Sequence, residues 1–467
     1  MSPQIQARCR TPEEDDSRNG VLGINRTVRY TTGMDDIWPK YSLPDDEGRE
    51  RPRLGGSRVP GRNQGSIPKG YLTKKTRGSW VTLESAEGGN THRVLDLVSG
   101  DGRGLVGHRH PRVVEALKSS LRDPAHIEGT DHPSGEKLAR RLIKACGFSS
   151  GAVYLTAGGS HAVEIAARLG RLYARRPGIA GIDTGFHGLG GETIFLSRAF
   201  VPFSTLEVLP DRPQIILVPF DSDRAFEVLS RYSNRIGCLI FEPIQGQGGY
   251  RIPDSNWLRE MLRLARSLDI VTICDEICLG LGRTGKFLSV QHLLDESTID
   301  DHVDFVTLGG SLGGGEYPLS AIVMNTNRLR VEIDIANRVP LRDTFTLSPL
   351  GVRAADAILD LLTEEDDQLI RQATALNEAL RSGLAAEEAT RDSPRFVIRG
   401  VGASTALDFT DSRQADAFCC AAFYQGLLVR RAGAPGSATV LLAPPLTMTQ
   451  VEKTKAMGAI TRALETI

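Results

Sequence analysis

The stretch Asp269–Phe287, "DIVTICDEICLGLGRTGKF", joins a short apolar segment to a loop rich in glycine. The residues from Ile270 to Cys274 are apolar except for Thr272, which is typical of a strand buried on both faces of a sheet. The carboxylate of Asp275 is therefore expected to be nearly buried, and a buried charge needs a partner. The sequence leaves two partners open: a protonated nitrogen of a heterocyclic ligand, or a structural ion pair within the protein.

Apolar segments and helical patterns alternate on both sides of this stretch, from Ser134 to Val323. The segments "GAVYLT", "QIILVPF", "IGCLIFEP" and "VDFVTLGG" predict further strands, and the segments between them place apolar residues at helical spacing. This alternation predicts an α/β fold with a large, doubly wound and mainly parallel sheet. The segment after Pro349 predicts a second, smaller α+β unit.

Composition and charge exclude several classes of partner. The chain has 467 residues, 40% of them hydrophobic, with 56 basic and 57 acidic residues and a net charge of −1. This balance favours neither a nucleic acid nor an anionic membrane as partner. No apolar run approaches the roughly 20 residues that span a bilayer, and the N-terminus lacks a signal-peptide pattern. The seven cysteines show no zinc or disulfide spacing. We therefore expect a cytoplasmic protein with reduced cysteines and no metal site.

Three more loops lie where the carboxyl ends of parallel strands are expected, at the sheet edge where open α/β proteins bind ligands. In "TAGGSHAVEIAARL", Gly159 and Ser160 begin a helix whose N–H groups and hydroxyl can hold a phosphate, although ordinary helices begin in the same way. In "DTGFHGLGGET", Phe186 either stacks on a flat ring or anchors the loop. The third loop lies within Val303–Val323, "VDFVTLGGSLGGGEYPLSAIV", and its centre carries no side chain able to form a covalent bond.

The order and spacing of these motifs resemble the class III aminotransferases, which are pyridoxal-phosphate enzymes of fold type I. The resemblance runs from about residue 70 to the C-terminus and includes "GHRHPRVVEAL", "FHG", "EPIQGQGG", "DEICLGLGRTGKF", "TLGGSLGGGEYPLSA", "DTFTLSPL" and "LLVRRAG". It implies pyridoxal or pyridoxamine phosphate as cofactor, a small-molecule substrate and a homodimer. It also implies a small domain built from residues 66–130 and 349–467 and a large cofactor-binding domain (131–348). Residues 1–65 are polar and show no sustained periodicity, which predicts a flexible N-terminal extension.

The resemblance also implies a role for individual residues. Gly159 and Ser160 would hold the cofactor phosphate, Phe186 would stack on the pyridine ring, and Asp275 would pair with the ring nitrogen. Thr344 would reach the phosphate of the cofactor in the neighbouring subunit. His187, Glu242 and Cys278 complete the predicted cofactor-binding set.

The main departure from the family pattern falls on Gly310. The family has at this position the lysine that bonds the cofactor covalently and moves the proton during transamination. Glycine can do neither, so the loop resembles a cofactor loop without its nucleophile. His161, where the family has a glutamate, is a candidate proton carrier, although a histidine at a helix start more often only forms hydrogen bonds.

Four other positions around the expected pocket also differ from the family pattern. Cys278 and Gln247 stand for a glutamine and a glutamate, Leu441 for an arginine that often binds a substrate carboxylate, and Ser348 for an asparagine. Several changes around one pocket indicate natural divergence. Cys278 is expected to fill space rather than to act as a nucleophile.

Three functions fit the sequence. In the first, the protein holds the cofactor non-covalently and acts on an amine or carbonyl substrate of specialised metabolism, without classical transamination. In the second, the fold serves a reaction that needs no pyridoxal phosphate, and in the third the protein is a non-catalytic partner. We expect Asp275 to discriminate among them, because an unpaired buried carboxylate is costly without a cofactor nitrogen.

Overall fold

The computed structural model describes residues 71–85, 88–122, 133–201, 214–329, 347–388, 394–434 and 436–467. The predicted N-terminal extension (1–65) and Thr344 lie outside these described residues. Within the described ranges, no helix is long and apolar enough to cross a membrane.

The strands and helices follow one another as the alternating pattern predicts. In chain order the strands are β1 (Tyr71–Arg77), β2 (Trp80–Ser85), β3 (Thr91–Asp96), β4 (Gly151–Thr156), β5 (Gly178–Ile182), β6 (Ile215–Val218), β7 (Ile236–Phe241), β8 (Val271–Glu276), β9 (Phe305–Leu308), β10 (Ser320–Asn325), β11 (Phe396–Val401), β12 (Ser404–Phe409), β13 (Leu427–Leu428), β14 (Arg430–Arg431) and β15 (Thr439–Leu442). The helices are α1 (Pro111–Ser120), α2 (Pro133–Ala145), α3 (Gly159–Ala174), α4 (Arg224–Arg231), α5 (Ser255–Ser267), α6 (Glu296–His302), α7 (Pro349–Thr363), α8 (Gln368–Glu388), α9 (Ser412–Tyr424) and α10 (Gln450–Glu465).

The largest sheet has seven strands in the order β4-β10-β9-β8-β7-β5-β6. Strand β10 runs antiparallel to both of its neighbours, whereas the pairs from β9 through β8, β7 and β5 to β6 are parallel. The prediction of a mainly parallel sheet is thus confirmed. The antiparallel direction of β10 follows from the short connection after β9, which is too short for a parallel crossover.

Both faces of this sheet are covered, as a doubly wound fold requires. Along β7, Cys238 and Ile240 pack into one hydrophobic cluster and Leu239 and Phe241 into another. This period of two is expected when successive side chains of a strand point to opposite faces. The first cluster includes the apolar face of α3, and the second includes Leu229 of α4 with Leu258 and Leu262 of α5.

Two further sheets of four strands each are formed by strands that precede or follow those of the central sheet in the chain. The first has the order β1-β2-β3-β13, and its β3–β13 pair is parallel, so segments from near both ends of the described chain share one sheet. The second has the order β11-β12-β15-β14 and is antiparallel throughout. The shared sheet agrees with a small domain built from two chain segments, while the boundaries at residues 131 and 348 remain predictions.

The turn after β9 packs very tightly against the loop after β8. A Cβ atom placed on Gly309 would lie 2.4 Å from the carbonyl oxygen of Ile277 and 2.8 Å from its Cγ2. The residue therefore has to be glycine, because a backbone oxygen cannot move aside as a flexible side chain can. The turn continues as a 3₁₀ segment, Gly310–Gly313.

Replacing Gly309 with alanine is expected to lower the free energy of unfolding by about 1–3 kcal/mol, because the new methyl group overpacks this contact. Gly313→Ala is the matched control in the same turn, since its added Cβ would be no closer than 3.4 Å to the side chain of Leu319. Urea denaturation of both variants measures the difference. Equal stability of the two variants would contradict the packing described for Gly309.

Candidate functional site

The functional candidates lie at one edge of the central sheet. Strands β4, β5, β7, β8 and β9 all point in the same direction, so the loops that follow them emerge at the same edge. These loops carry Gly159, Phe186, Glu242, Asp275 and Gly310. The fold therefore brings together the loops that the sequence analysis singled out, as expected for the carboxyl edge of an open sheet.

Asp275 is buried at the end of β8 and is paired with His187. The Nδ1 atom of His187 lies 2.8 Å from Oδ2 of Asp275, and the two side chains are 0% and 2% exposed. The other oxygen, Oδ1, accepts hydrogen bonds from Thr307 Oγ1 at 3.0 Å and from the Ile277 N–H at 3.2 Å. Burial lowers the pKa of His187, but the hydrogen bond and the charge of Asp275 outweigh it and raise the pKa above its usual value. The contact with Asp275 therefore favours the protonated form of His187.

This pairing corrects one expectation from the sequence. Asp275 was expected to discriminate among the three functions, but the structure shows the alternative partner within the protein that the sequence had left open, since His187, Thr307 and Ile277 all donate to it. The side chain of His187 contacts Asp275, so any effect of this histidine on a ligand is transmitted through the carboxylate. A carboxylate has about four acceptor positions, and three donors are described here, so room for one more donor remains.

Glu242 fixes the loop that carries Phe186. Its Oε2 atom accepts a hydrogen bond from the Phe186 N–H at 2.8 Å, and Oε1 accepts one from the Gly246 N–H at 3.0 Å. The ring of Phe186 meets the ring of Phe200 edge to face, with 5.3 Å between centroids. Burial raises the pKa of Glu242 to about 7. Glu242 thus serves the site by holding two backbone segments in place.

Helix α3 begins without a side-chain cap among the described residues. Its N-cap residue, Gly158, is extended, and a Cβ added there would meet nothing within 4 Å. Next to it, a Cβ on Gly159 would lie only 2.7 Å from the Cγ2 atom of Ile277. The hydroxyl oxygen of Ser160 accepts a hydrogen bond from the Leu189 N–H at 3.4 Å, and His161 is exposed. Uncapped N–H groups beside open space suit an anionic group.

A small cleft lies beside Cys278. Its lining includes Asp101, Gln247, Arg430 and Leu441. Burial raises the pKa of the Cys278 thiol well above its usual value, so the thiol is protonated near neutral pH and is a poor nucleophile. This agrees with the expectation that Cys278 fills space.

Sequence reasoning missed the charged residues of this cleft. Arg430 Nη2 donates to Gln247 Oε1 at 2.6 Å, and Arg430 Nε lies 3.0 Å from Asp101 Oδ1. Arg103, in the same loop as Asp101, packs on Gly310. The available signals were the charges inside the glycine-rich segment "SGDGRG" and the two arginines of "LLVRRAG".

Comparison with known proteins shows what the chain resembles. The model of the family Aminotransferase class-III matches residues 62–464. The chain belongs to the class III aminotransferase family. A probable 4-aminobutyrate aminotransferase of Bacillus subtilis is 28% identical over 415 residues, which cover 81% of this chain and 90% of that protein.

Solved structures of other aminotransferases share the fold. An ornithine aminotransferase from Toxoplasma gondii, described with partial occupancy of pyridoxal phosphate, is 25% identical with a TM-score of 0.71, covering 84% of this chain and 90% of that one. An S-selective transaminase from Arthrobacter reaches a TM-score of 0.73 at 21% identity, covering 85% and 92%. The predicted fold type I architecture is thereby confirmed.

The described residues fit the cofactor of this family. The site offers a buried carboxylate with acceptor capacity, an aromatic ring on a fixed loop, and an uncapped helix start beside open space. These groups suit, in turn, a ring nitrogen, a flat ring and a phosphate.

Glu276, next to Asp275 in β8, makes the stability of the folded protein depend on pH. It is buried, its Oε1 accepts a hydrogen bond from the Val290 N–H at 2.8 Å, and burial raises its pKa to about 7 from 4.5. The folded protein therefore keeps this proton up to about pH 7, whereas the unfolded chain loses it near pH 4.5. The stability that this difference contributes is complete below pH 4.5 and is lost as the pH rises to about 7.

We expect the free energy of unfolding of the unaltered protein, relative to that of Glu276→Gln, to fall by on the order of 2–3 kcal/mol between about pH 4.5 and pH 7.5. Urea titrations across this range measure it. Glu115→Gln, at an exposed position on α1, is the control and should show no such trend. A pH-independent difference for Glu276→Gln would mean that Glu276 is ionised throughout.

Proposed function

We propose that this class III aminotransferase binds pyridoxal or pyridoxamine phosphate without a covalent bond and acts on an amine or carbonyl substrate. The observation that carries the proposal is Gly310, which follows β9 at the position where the resemblance places the lysine of the family. The site around it keeps the groups that suit the cofactor. The protein would act as a homodimer in specialised metabolism. It would not perform classical transamination.

Each contact to the cofactor is assigned to a residue of this chain. Asp275 would accept a hydrogen bond from the ring nitrogen and is held in position by His187. Phe186 would stack on the ring, and the start of α3 at Gly159 and Ser160 would hold the phosphate. Glu242 and Cys278 would border the site, and Thr344 would reach the phosphate of the neighbouring subunit's cofactor.

The cofactor supplies an electron sink when it is bound, and the chain supplies orientation and charge. The contact with His187 fixes the Asp275 carboxyl group at the ring-nitrogen end of the site. Direct condensation of an amine with a free aldehyde needs no lysine but is slow, so turnover with common amino donors is expected to be undetectable. His161 is exposed at the third position of α3 and remains the candidate proton carrier.

A second function is favoured by one observation, the three partners of Asp275 within the chain. Because these partners already stabilise the carboxylate, the fold does not require a cofactor nitrogen. Retention of Asp275 is therefore compatible with a reaction that uses no pyridoxal phosphate, or with a non-catalytic role. Cofactor binding separates these functions from the first.

Purified protein is expected to bind pyridoxal phosphate saturably in an absorbance titration, and borohydride reduction is expected to leave the mass of the protein unchanged. Asp275→Asn should weaken this binding about tenfold, because a charged hydrogen-bond acceptor is lost. A covalent adduct that borohydride fixes to the protein would mean that another lysine bonds the cofactor. Failure of the unaltered protein to bind would leave the second function.

Gly310→Lys tests the position assigned to the missing lysine. We expect this variant to take up one pyridoxal phosphate that borohydride fixes to residue 310, which peptide mass mapping can locate. The side chain of Arg103 is in the way but is 60% exposed, so it can move aside. The unaltered protein is the control. An adduct at any other lysine, or none in a variant that still binds the cofactor, would contradict the assignment.

A further inference from the structure

Arg103 occupies the space into which a side chain at residue 310 would extend. A Cβ atom placed on Gly310 would lie 2.9 Å from Arg103 Cδ and 3.0 Å from Arg103 Cγ. The aliphatic part of the arginine therefore packs directly on the glycine. The two loops are also joined by Ser311, whose hydroxyl donates to the carbonyl oxygen of Gly102 at 3.0 Å.

The guanidinium of Arg103 is held in place but remains accessible. Its Nε donates to the Gly100 carbonyl oxygen at 2.7 Å, and Nη2 lies 3.7 Å from Asp101 Oδ2, while the side chain stays 60% exposed. The other oxygen of Asp101 lies 3.0 Å from Nε of Arg430 in the cleft. One carboxylate thus lies between two guanidinium groups.

We propose that Arg103 is a cofactor-binding residue, whose guanidinium binds the aldehyde oxygen of non-covalently held pyridoxal phosphate. The inference rests on the proposed function, because the family's lysine bonds the aldehyde carbon and Arg103 packs on the residue at that lysine's position. A guanidinium stays protonated and is no nucleophile, so it holds an oxygen by charge and hydrogen bonds without a covalent bond. Glycine at residue 310 leaves the space that the arginine needs.

The test compares two ligands that differ at the aldehyde. Pyridoxal phosphate carries this oxygen, and 4-deoxypyridoxine phosphate has a methyl group in its place. Arg103→Met keeps an unbranched apolar side chain on Gly310 but removes the charge. We expect it to weaken binding of pyridoxal phosphate about tenfold, in line with the loss of a charged hydrogen bond, and to leave binding of the deoxy analogue unchanged.

Two further variants serve as controls for indirect effects of the substitution. Arg103→Lys keeps a positive charge and is expected to retain most of the affinity for pyridoxal phosphate. Arg263→Met, an exposed arginine of α5, is the matched control and should change neither dissociation constant. Thermal denaturation of each variant without ligand shows whether the fold is intact.

The outcomes separate this inference from the proposed function. If Arg103→Met and the unaltered protein have equal dissociation constants for pyridoxal phosphate, the inference is wrong and the proposed function is unaffected. Equal weakening of both ligands would also overturn it, because the arginine would then only support the loop. If the unaltered protein binds neither ligand, the proposed function and this inference both fail.

Discussion

Two glycines pack against the same residue, Ile277, and this double contact shapes the whole site. A side chain on Gly159 would collide with the Ile277 side chain, and one on Gly309 would collide with its backbone oxygen as well. Ile277 lies two residues after Asp275, so the start of α3 and the turn after β9 are held against the end of β8. The position of the uncapped helix start relative to the buried carboxylate follows from this packing.

The site also depends on how its buried charges are balanced. Asp275 is in contact with His187 and raises the pKa of that histidine. Burial raises the pKa values of Glu242 and Glu276 to about 7, although the charge of His187 partly offsets this rise at Glu242. One buried histidine thus acts on two of the three carboxyl groups at this edge of the sheet.

Sequence periodicity predicted the central sheet well and the cleft poorly. Strands β7, β8 and β9 are apolar runs flanked by helical patterns, so they were predicted near their observed bounds. Strand β5 reads "GIAGI" and was missed, because its glycines weaken the pattern, although the strand is fully buried. The Asp275–His187 contact joins residues 88 positions apart, and Arg430 meets Asp101 across the chain. Such long-range pairs leave no periodic signal in one sequence.

Several of the residues that the sequence analysis singled out lie close together in the structure. Gln247, Cys278 and Leu441 line one cleft, and Arg430 in that cleft binds Gln247 and Asp101. Asp101 and Arg103 come from one short loop, which lies against the turn at Gly310. Under the proposed function, Arg103 would take the space of the missing lysine and supply a positive charge there, because its aliphatic part packs on Gly310. Gly310 would then be one part of a rebuilt site.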